Sequence, residues 1–181
     1  MSKKKSVCVF CGASNAIPKK FFEAGSKFGE MLAKHDITLV YGGGDCGVMG
    51  AVANAVMENN GYVTGVFPIS LRNLENEHKT LSEIIIVNTM HERKQLMFER
   101  SDAFIVFPGG FGTMDEMFEI ITWKQLRLHE KPVIIYNQEG YWNPLIALMS
   151  NIIDNQFAKA ETYDFYKVVD TLDDIIPALG F

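Results

Sequence analysis

The sequence has few cysteines and no long hydrophobic run, and each absence excludes a class of protein. Three cysteines, an odd number, do not suggest a disulfide framework. No apolar run approaches the roughly 18 residues of a transmembrane helix, and no signal-peptide core follows the lysines at 3–5. We therefore expect a cytoplasmic protein without a membrane partner.

Positive charge is also scarce. The chain of 181 residues has 17 lysines and arginines against 22 aspartates and glutamates, which gives a formal net charge of -5 at pH 7. A surface with this balance does not favour nucleic acid, so we predict no nucleic-acid partner. The length and the hydrophobic fraction of 48% are those of a globular protein. Because the sequence shows no repeat and no linker, we expect one domain over 1–181.

The cysteines and histidines do not form a recognisable metal or redox motif. Cys8 and Cys11 make a CxxC, but they lie in the strand-like run SVCVFC. An offset of three residues on a strand points the two thiols to opposite faces, so they can neither bridge nor chelate together. The histidines have no spacing typical of zinc. We therefore predict no metal.

Short β-branched runs alternate with longer helical patterns along the chain. The strand-like runs are SVCVFC, ITLVY, YVTGVF, IIIV, AFIVF, PVIIY and YKVV. The helical patterns cover 18–35, 48–59, 91–100, 113–128, 142–155 and 172–179. Strands that are apolar on both faces and separated by helices form a parallel sheet covered on both sides. We predict a doubly wound α/β fold, in which ligands lie at the carboxyl ends of the strands.

The segment YGGGDCGVMG at 41–50 is the first glycine-rich strand end. Its residues Gly42, Gly44 and Gly47 match G-x-G-x-x-G. A dinucleotide site also needs an acid at the end of the next strand, but that strand ends GVFPIS. We therefore predict no NAD or FAD cofactor. A phosphate-binding loop and a tight turn that needs glycine both remain open.

The segment FPGGFGTMDE at 107–116 is the second glycine-rich strand end. Three glycines follow the strand AFIVF, and Thr113 is a natural N-cap. Thr113 and Glu116 spell T-x-x-E, a capping box at the start of a helix. A capping carboxylate and a catalytic carboxylate are both consistent with Glu116, and one residue can serve both roles.

The segment TMHERKQLMFER at 89–100 follows the strand IIIV. Thr89 and Glu92 form another capping box, and Arg93 and Lys94 lie just beyond the first turn. Cations near the positive end of a helix are unfavourable by up to about 1 kcal/mol. An anionic ligand across the strand ends explains the pair, although paired basic residues are also common on surfaces.

In a doubly wound sheet these three segments can converge on one edge, around a small anionic ligand. Such a set suits cleavage of the glycosidic bond of a nucleotide. Its transition state resembles an oxocarbenium ion, which a carboxylate stabilises, and the same carboxylate can activate the attacking water. Glycine amides and basic side chains would hold the 5′-phosphate and so position the anomeric carbon.

Several motifs give the chain a family resemblance. The run at 108–116 matches PGGxGTxxE at every specified position, and 90–94 matches Met-His-x-Arg-Lys. With CGAS, YGGG and ITWKQL, these motifs resemble the LOG ("Lonely Guy") family of cytokinin riboside 5′-monophosphate phosphoribohydrolases. The resemblance runs from about 7 to 136 and is weaker beyond. It implies a Rossmann-like fold, no cofactor, and a homodimer with the active site near the subunit interface.

The resemblance also implies a reaction and a set of site residues. Family members hydrolyse N6-substituted adenosine 5′-monophosphates to the free base and ribose 5-phosphate. Carried over by position, Arg93 and Glu116 are the catalytic pair. The residues implied to bind the nucleotide are Ser14, Gly43, Gly44, Glu75, Lys94, Gly110, Phe111, Gly112, Thr113, Met114, Asp115 and Thr122. The segment around Glu75 matches poorly, and Asp115 stands where many relatives carry glutamate.

The sequence is also consistent with functions other than cytokinin release. AMP nucleosidase activity without cytokinin specificity is the nearest alternative, and the residues do not distinguish AMP from prenylated AMP. A non-catalytic nucleotide or pterin-cofactor carrier of the same fold would not need a carboxylate beside an anionic ligand. Some relatives have been labelled lysine decarboxylases, but no residues here stand out as the Schiff-base lysine and ring-nitrogen partner that pyridoxal chemistry needs.

Overall fold

The computed structural model describes residues 4–71 and 76–181. Seven strands form one sheet in the order β4-β3-β2-β1-β5-β6-β7, and every neighbouring pair is parallel. The strands are β1 (Ser6–Phe10), β2 (Thr38–Tyr41), β3 (Val63–Pro68), β4 (Glu83–Val87), β5 (Ala103–Val106), β6 (Val133–Tyr136) and β7 (Lys167–Val169). The helices are α1 (Lys19–Lys34), α2 (Gly47–Glu58), α3 (Met90–Glu99), α4 (Phe111–Gln125), α5 (Asn143–Asp154) and α6 (Ile175–Leu179).

Helices cover both faces of the sheet, as strands that are apolar on both sides require. Alternate residues of β1 belong to two separate cores: Val7 and Val9 pack with α1, α2 and α6, whereas Cys8 and Phe10 pack with α3, α4 and α5. The predicted doubly wound α/β fold is confirmed. Within the described residues, no helix has both the length and the apolar composition needed to cross a membrane.

The two cysteines of the CxxC lie in different cores, as the strand periodicity predicted. Cys8 packs against the α3, α4 and α5 layer, and Cys11 packs against the α1, α2 and α6 layer. Both thiols are free and buried. The pair therefore does not act as a joint redox or metal motif.

The two predicted capping boxes have different outcomes. At α3 the prediction is confirmed: Thr89 is the N-cap, and its hydroxyl accepts a hydrogen bond from the Glu92 amide at 3.1 Å. At α4 it is wrong, because the helix begins at Phe111 and its N-cap is Gly110, without a side-chain cap. Thr113 and Glu116 therefore lie inside α4.

The sheet order reverses at β1, which pairs with β2 on one side and β5 on the other. The chain leaves β1 and β5 toward opposite layers, so a crevice opens between the two loops that follow them. Backbone hydrogen bonds from Gly12 to Pro108 and from Phe107 to Phe10, at 3.1 and 2.9 Å, join these loops. Such a topological switch point is where doubly wound sheets bind ligands.

Candidate active site

A cavity of about 440 Å³ lies at this switch point. The loop after β1 and the glycine segment after β5 contribute backbone to its wall. Helices α3 and α4 contribute one charged residue each. The lining residues are Cys11, Gly12, Ala13, Ser14, Ile17, Phe21, Met49, Arg93, Pro108, Gly109, Gly110, Gly112, Thr113, Glu116 and Tyr141.

Arg93 reaches the cavity from α3 and is held by backbone carbonyls. Its side chain is buried, Nη2 donates to the Gly42 carbonyl at 3.0 Å, and Nε donates to the Val66 carbonyl at 3.3 Å. Hydrogen bonds from a charged donor are stronger than neutral ones and so offset the cost of a cation near the helix N-terminus. Because two directions of the planar guanidinium are fixed, its orientation in the wall is fixed as well.

The position of the Arg93 guanidinium requires a glycine at residue 42. A Cβ added to Gly42 would lie 1.8 Å from Nη2 of Arg93 and 2.8 Å from Cζ. No side chain larger than hydrogen fits there while the guanidinium keeps its place. The first glycine of YGGG thus accommodates a side chain of the protein, a role that the spacing of the motif did not indicate.

Glu116 lies in the second turn of α4 and lines the same cavity as Arg93. Because α4 starts at Phe111, the capping role that T-x-x-E offered for this carboxylate is removed. Two helices on one side of the sheet thus bring a carboxylate and a guanidinium to one crevice, as the sequence predicted.

The pKa of the Cys11 thiol, just after β1, depends on both Glu116 and Arg93. Burial raises its pKa well above the ordinary value, the Glu116 carboxylate raises it further, and the Arg93 guanidinium lowers it. Both charged groups therefore lie within electrostatic reach of one atom at the switch point. Since the thiol stays protonated at neutral pH, Cys11 is not equipped to act as a nucleophile.

Backbone at the start of α4 is open to the cavity. A Cβ added to Gly110 or Gly112 would meet nothing within 4 Å, and Thr113 beside them is buried in the wall. The first amides of a helix have no partner within the helix and attract anions. Ser14 lies on the same cavity, and its hydroxyl accepts the Ala16 amide at 3.1 Å.

Lys94 and Asp115 are brought together, but outside the cavity wall. The Lys94 ammonium pairs with the Asp115 carboxylate at 3.2 Å and the Glu119 carboxylate at 3.1 Å, which ties α3 to α4. Burial lowers the pKa of Lys94, but the two carboxylates outweigh it and raise the pKa above its ordinary value. Glu75 lies outside the described residues.

Five further predicted residues also lie outside the cavity wall. Gly43 and Gly44 are buried beyond β2, and Met114 is partly buried against the core under α4. Thr122 is exposed on α4, and Phe111 is 88% exposed at the start of that helix. Among the described residues, the structure therefore places the implied site residues in two groups, one that lines the cavity and one that lies outside its wall.

Sequence reasoning missed several apolar residues of the wall. Tyr141 follows β6, and its hydroxyl donates to the Gly109 carbonyl at 2.6 Å. Phe21 of α1 meets the Tyr141 ring edge to face, with centroids 5.7 Å apart. The sequence does not distinguish such residues from core residues of a helix, since their role depends on which loop crosses the cavity.

Comparison with known proteins gives matches along most of the chain. A family described as "Possible lysine decarboxylase" matches residues 49–179. A "Probable cytokinin riboside 5′-monophosphate phosphoribohydrolase LOGL2" of Oryza sativa subsp. japonica is 39% identical over 98% of this chain and 73% of its own length. The "Cytokinin riboside 5′-monophosphate phosphoribohydrolase LOG5" of Arabidopsis thaliana is 42% identical over 87% of this chain and 69% of its own length.

Solved structures share the fold at much lower identity. A molybdenum cofactor binding protein from the phototrophic bacterium Rippkaea orientalis superposes with a TM-score of 0.74 at 20% identity, over 98% of this chain and 96% of that one. A Moco carrier protein from Chlamydomonas reinhardtii gives 0.73 at 18% identity, over 98% and 96%. At this identity the likeness concerns the fold alone. The match over 49–179 and the identity of about 40% to curated relatives identify the family: the chain belongs to the LOG family of cytokinin riboside 5′-monophosphate phosphoribohydrolases.

Proposed function

We propose that the protein hydrolyses the N-glycosidic bond of N6-substituted adenosine 5′-monophosphate and releases the free base and ribose 5-phosphate. The observation that carries this proposal is the presence of Arg93 and Glu116, from two different helices, in one cavity at the switch point. The curated relatives named as phosphoribohydrolases support the same reaction.

The open backbone at Gly110 and Gly112 is suited to the 5′-phosphate. It lies at the N-terminus of α4, where amides and the helix dipole favour an anion. Ser14 and Thr113 supply hydroxyls on the same cavity. With the phosphate fixed there, the ribose extends toward Glu116 in the next turn of the helix.

Glu116 then acts on the anomeric carbon. The oxygen of water bonds to C1′ as the bond from C1′ to the purine nitrogen breaks, and the bonding pair leaves with the purine. The carboxylate stabilises the positive charge that develops on the sugar and accepts the proton of the attacking water. The purine takes up a proton as it departs, so the reaction needs only water as co-reactant.

Arg93 orients the substrate. Its guanidinium is fixed by the Gly42 and Val66 carbonyls, so it can present its cavity side to a ribose hydroxyl or a phosphate oxygen without reorganisation. We place Lys94, with Asp115, and also Gly43, Gly44, Phe111, Met114 and Thr122, around this centre as supports of the nucleotide site.

We further propose a homodimer whose interface lies near the active site. The start of α4 carries Phe111 at 88% exposure, and the start of α3 carries Met90 at 38%. Large apolar side chains this exposed beside a cavity are typical of surfaces that a partner covers. Light scattering on the purified protein tests the proposal, and a monomer at all concentrations would contradict it.

A carrier of an anionic pterin cofactor is the second candidate, because the structural neighbours of similar fold include such carriers. A carboxylate in the cavity does not favour an anionic ligand that is held without turnover. Incubation with AMP and with isopentenyladenosine monophosphate, followed by detection of free base and ribose 5-phosphate, separates the candidates.

Glu116→Gln is the diagnostic variant. We expect turnover to fall by about 10² or more, the range for losing an acid-base group, while thermal stability is retained. Glu99→Gln, an exposed carboxylate at the end of α3, is the matched control and should keep full activity. Equal activity in Glu116→Gln and wild type would remove this carboxylate from the chemistry.

A further inference from the structure

The cavity has an apolar wall that the reaction described above does not use. Its residues come from α1, α2 and the loops before α1 and after β6, whereas the charged pair comes from α3 and α4. The crevice is therefore two-sided, with charge on one side and apolar surface on the other. This apolar wall consists of Ile17, Phe21, Met49 and Tyr141.

Two rings of the apolar wall, Phe21 and Tyr141, form an aromatic corner. Their planes meet at 75° with centroids 5.7 Å apart, an edge-to-face arrangement. Behind them the buried Trp142 meets the Tyr141 ring at 82° and 4.8 Å. Packing on two sides thus fixes the orientation of Tyr141, although 42% of that residue remains exposed.

The turn that carries Tyr141 is held in a disfavoured conformation. Glu139 has φ 50°, in the left-handed region that non-glycine residues rarely adopt, and Gly140 follows with φ 76°. The Glu139 carboxylate pairs with Lys20 of α1, so this turn is tied to the helix that carries Phe21. Backbone strain of this kind persists where the surrounding structure enforces it, often beside a ligand.

The Tyr141 hydroxyl connects the aromatic corner to the glycine segment. It donates to the Gly109 carbonyl at 2.6 Å, while a Cβ on Gly109 would lie only 2.1 Å from Oγ1 of Thr113. The aromatic corner and the phosphate-binding backbone therefore have a fixed separation. A molecule with an anionic group at one end and a flat apolar group at the other matches this arrangement.

We propose that the aromatic corner binds the base of the nucleotide and, with Ile17 and Met49, determines which N6-substituents are accepted; this rests on the proposed function. With the phosphate at the start of α4 and C1′ beside Glu116, the apolar wall is the part of this cavity that is left for the base. Purines stack on aromatic rings. An N6-alkyl group then meets the aliphatic and thioether side chains of the apolar wall.

The test compares ligands with and without a base. Calorimetry measures the Kd of AMP and of ribose 5-phosphate in Glu116→Gln protein, in which we expect AMP turnover to be at least about 10²-fold slower. Adding Phe21→Ala should raise the Kd for AMP about tenfold, the usual effect of losing one stacking ring, and leave the Kd for ribose 5-phosphate within about twofold. Tyr62→Ala, a tyrosine of similar exposure (43%) outside the cavity, is the control and should change neither value.

If Phe21→Ala raised the Kd of both ligands equally, Phe21 would stabilise the fold and not bind the base. An unchanged Kd for AMP would also overturn the proposal. If the parent protein bound neither ligand, the proposed function itself would fail. Phe21→Leu is the second variant, for the case in which Phe21→Ala misfolds, because leucine keeps most of the apolar volume. It lacks the ring and should still raise the AMP Kd about threefold. Tyr141→Phe keeps the ring, so the ratio of the two Kd values should stay at the parent level, whereas Tyr141→Ala should shift it as Phe21→Ala does.

Discussion

Replacing Gly42 by alanine should dislodge Arg93, a residue 51 positions further along the chain. The φ of Gly42 is outside the left-handed region, so alanine can adopt the backbone without strain there. The whole penalty therefore comes from the methyl group, which would lie 1.8 Å from Nη2 and 2.8 Å from Cζ of Arg93. Contacts this short do not persist, and the guanidinium must move.

The magnitude follows from the bonds that Arg93 would lose. Movement of the guanidinium breaks the hydrogen bonds to the Gly42 and Val66 carbonyls, and hydrogen bonds to charged groups contribute about 1.5–3 kcal/mol each. Partial rescue by solvent leaves a net destabilisation of about 2–4 kcal/mol, in the upper part of the range of about 1–3 kcal/mol for overpacked cores or just above it. For a domain of this size, that lowers the Tm by roughly 5–15 °C. Displacement of an orienting group by about 1 Å also costs about 10²-fold in kcat/KM.

A double-mutant cycle in urea separates this contact from a general backbone effect. In an Arg93→Ala background the methyl group has no guanidinium to meet, so Gly42→Ala should cost less than about 0.5 kcal/mol there. Gly112→Ala, where the added Cβ meets nothing within 4 Å, serves as the stability control. The same loss of stability in both backgrounds would refute the reasoning, as would wild-type activity of Gly42→Ala.

Two further predictions concern stability. Thr89→Ala removes the hydroxyl that accepts the Glu92 amide, so urea unfolding should show a loss of about 1 kcal/mol with kcat unchanged. Burial lowers the pKa of His129 below its ordinary value of 6.5, and the hydrogen bond to the Ile120 carbonyl only partly opposes this. The unfolded chain then binds the proton more readily, so stability should decline as pH falls below about 6.5, by up to about 1.4 kcal/mol per unit. His129→Gln should flatten that slope in pH-dependent unfolding, and an unchanged slope would contradict the assignment.

The layers of the fold could be predicted because the strands carry the pattern themselves. Val7 and Val9 face one core and Cys8 and Phe10 the other, so all four positions had to be apolar. Helix starts were less certain, since T-x-x-E occurs at both α3 and α4. At α3 the threonine is the N-cap, whereas at α4 the cap is Gly110, which has no side chain to reveal its role.

The candidate site likewise contains residues that a local sequence pattern predicts and residues that it does not. Arg93 and Glu116 could be predicted, because each follows a strand at a fixed spacing and belongs to a recognisable motif. The aromatic corner could not, since Tyr141 meets Gly109 across 32 positions and Phe21 looks like any apolar residue of an amphipathic helix. Contacts between loops of different crossovers leave no local pattern in the sequence.

Gly42 shows what the first glycine of the G-x-G-x-x-G pattern does in this chain. In dinucleotide-binding folds the glycines allow a phosphate to approach the backbone, so the pattern alone favours a cofactor. Here the space beside the first glycine is filled by the guanidinium of Arg93, and the Gly42 carbonyl is one of its acceptors. A ligand phosphate cannot occupy the same space. The first glycine of the motif at the end of β2 therefore accommodates the Arg93 side chain. In the site that we propose, the phosphate lies instead at the glycines that follow β5, at the switch point.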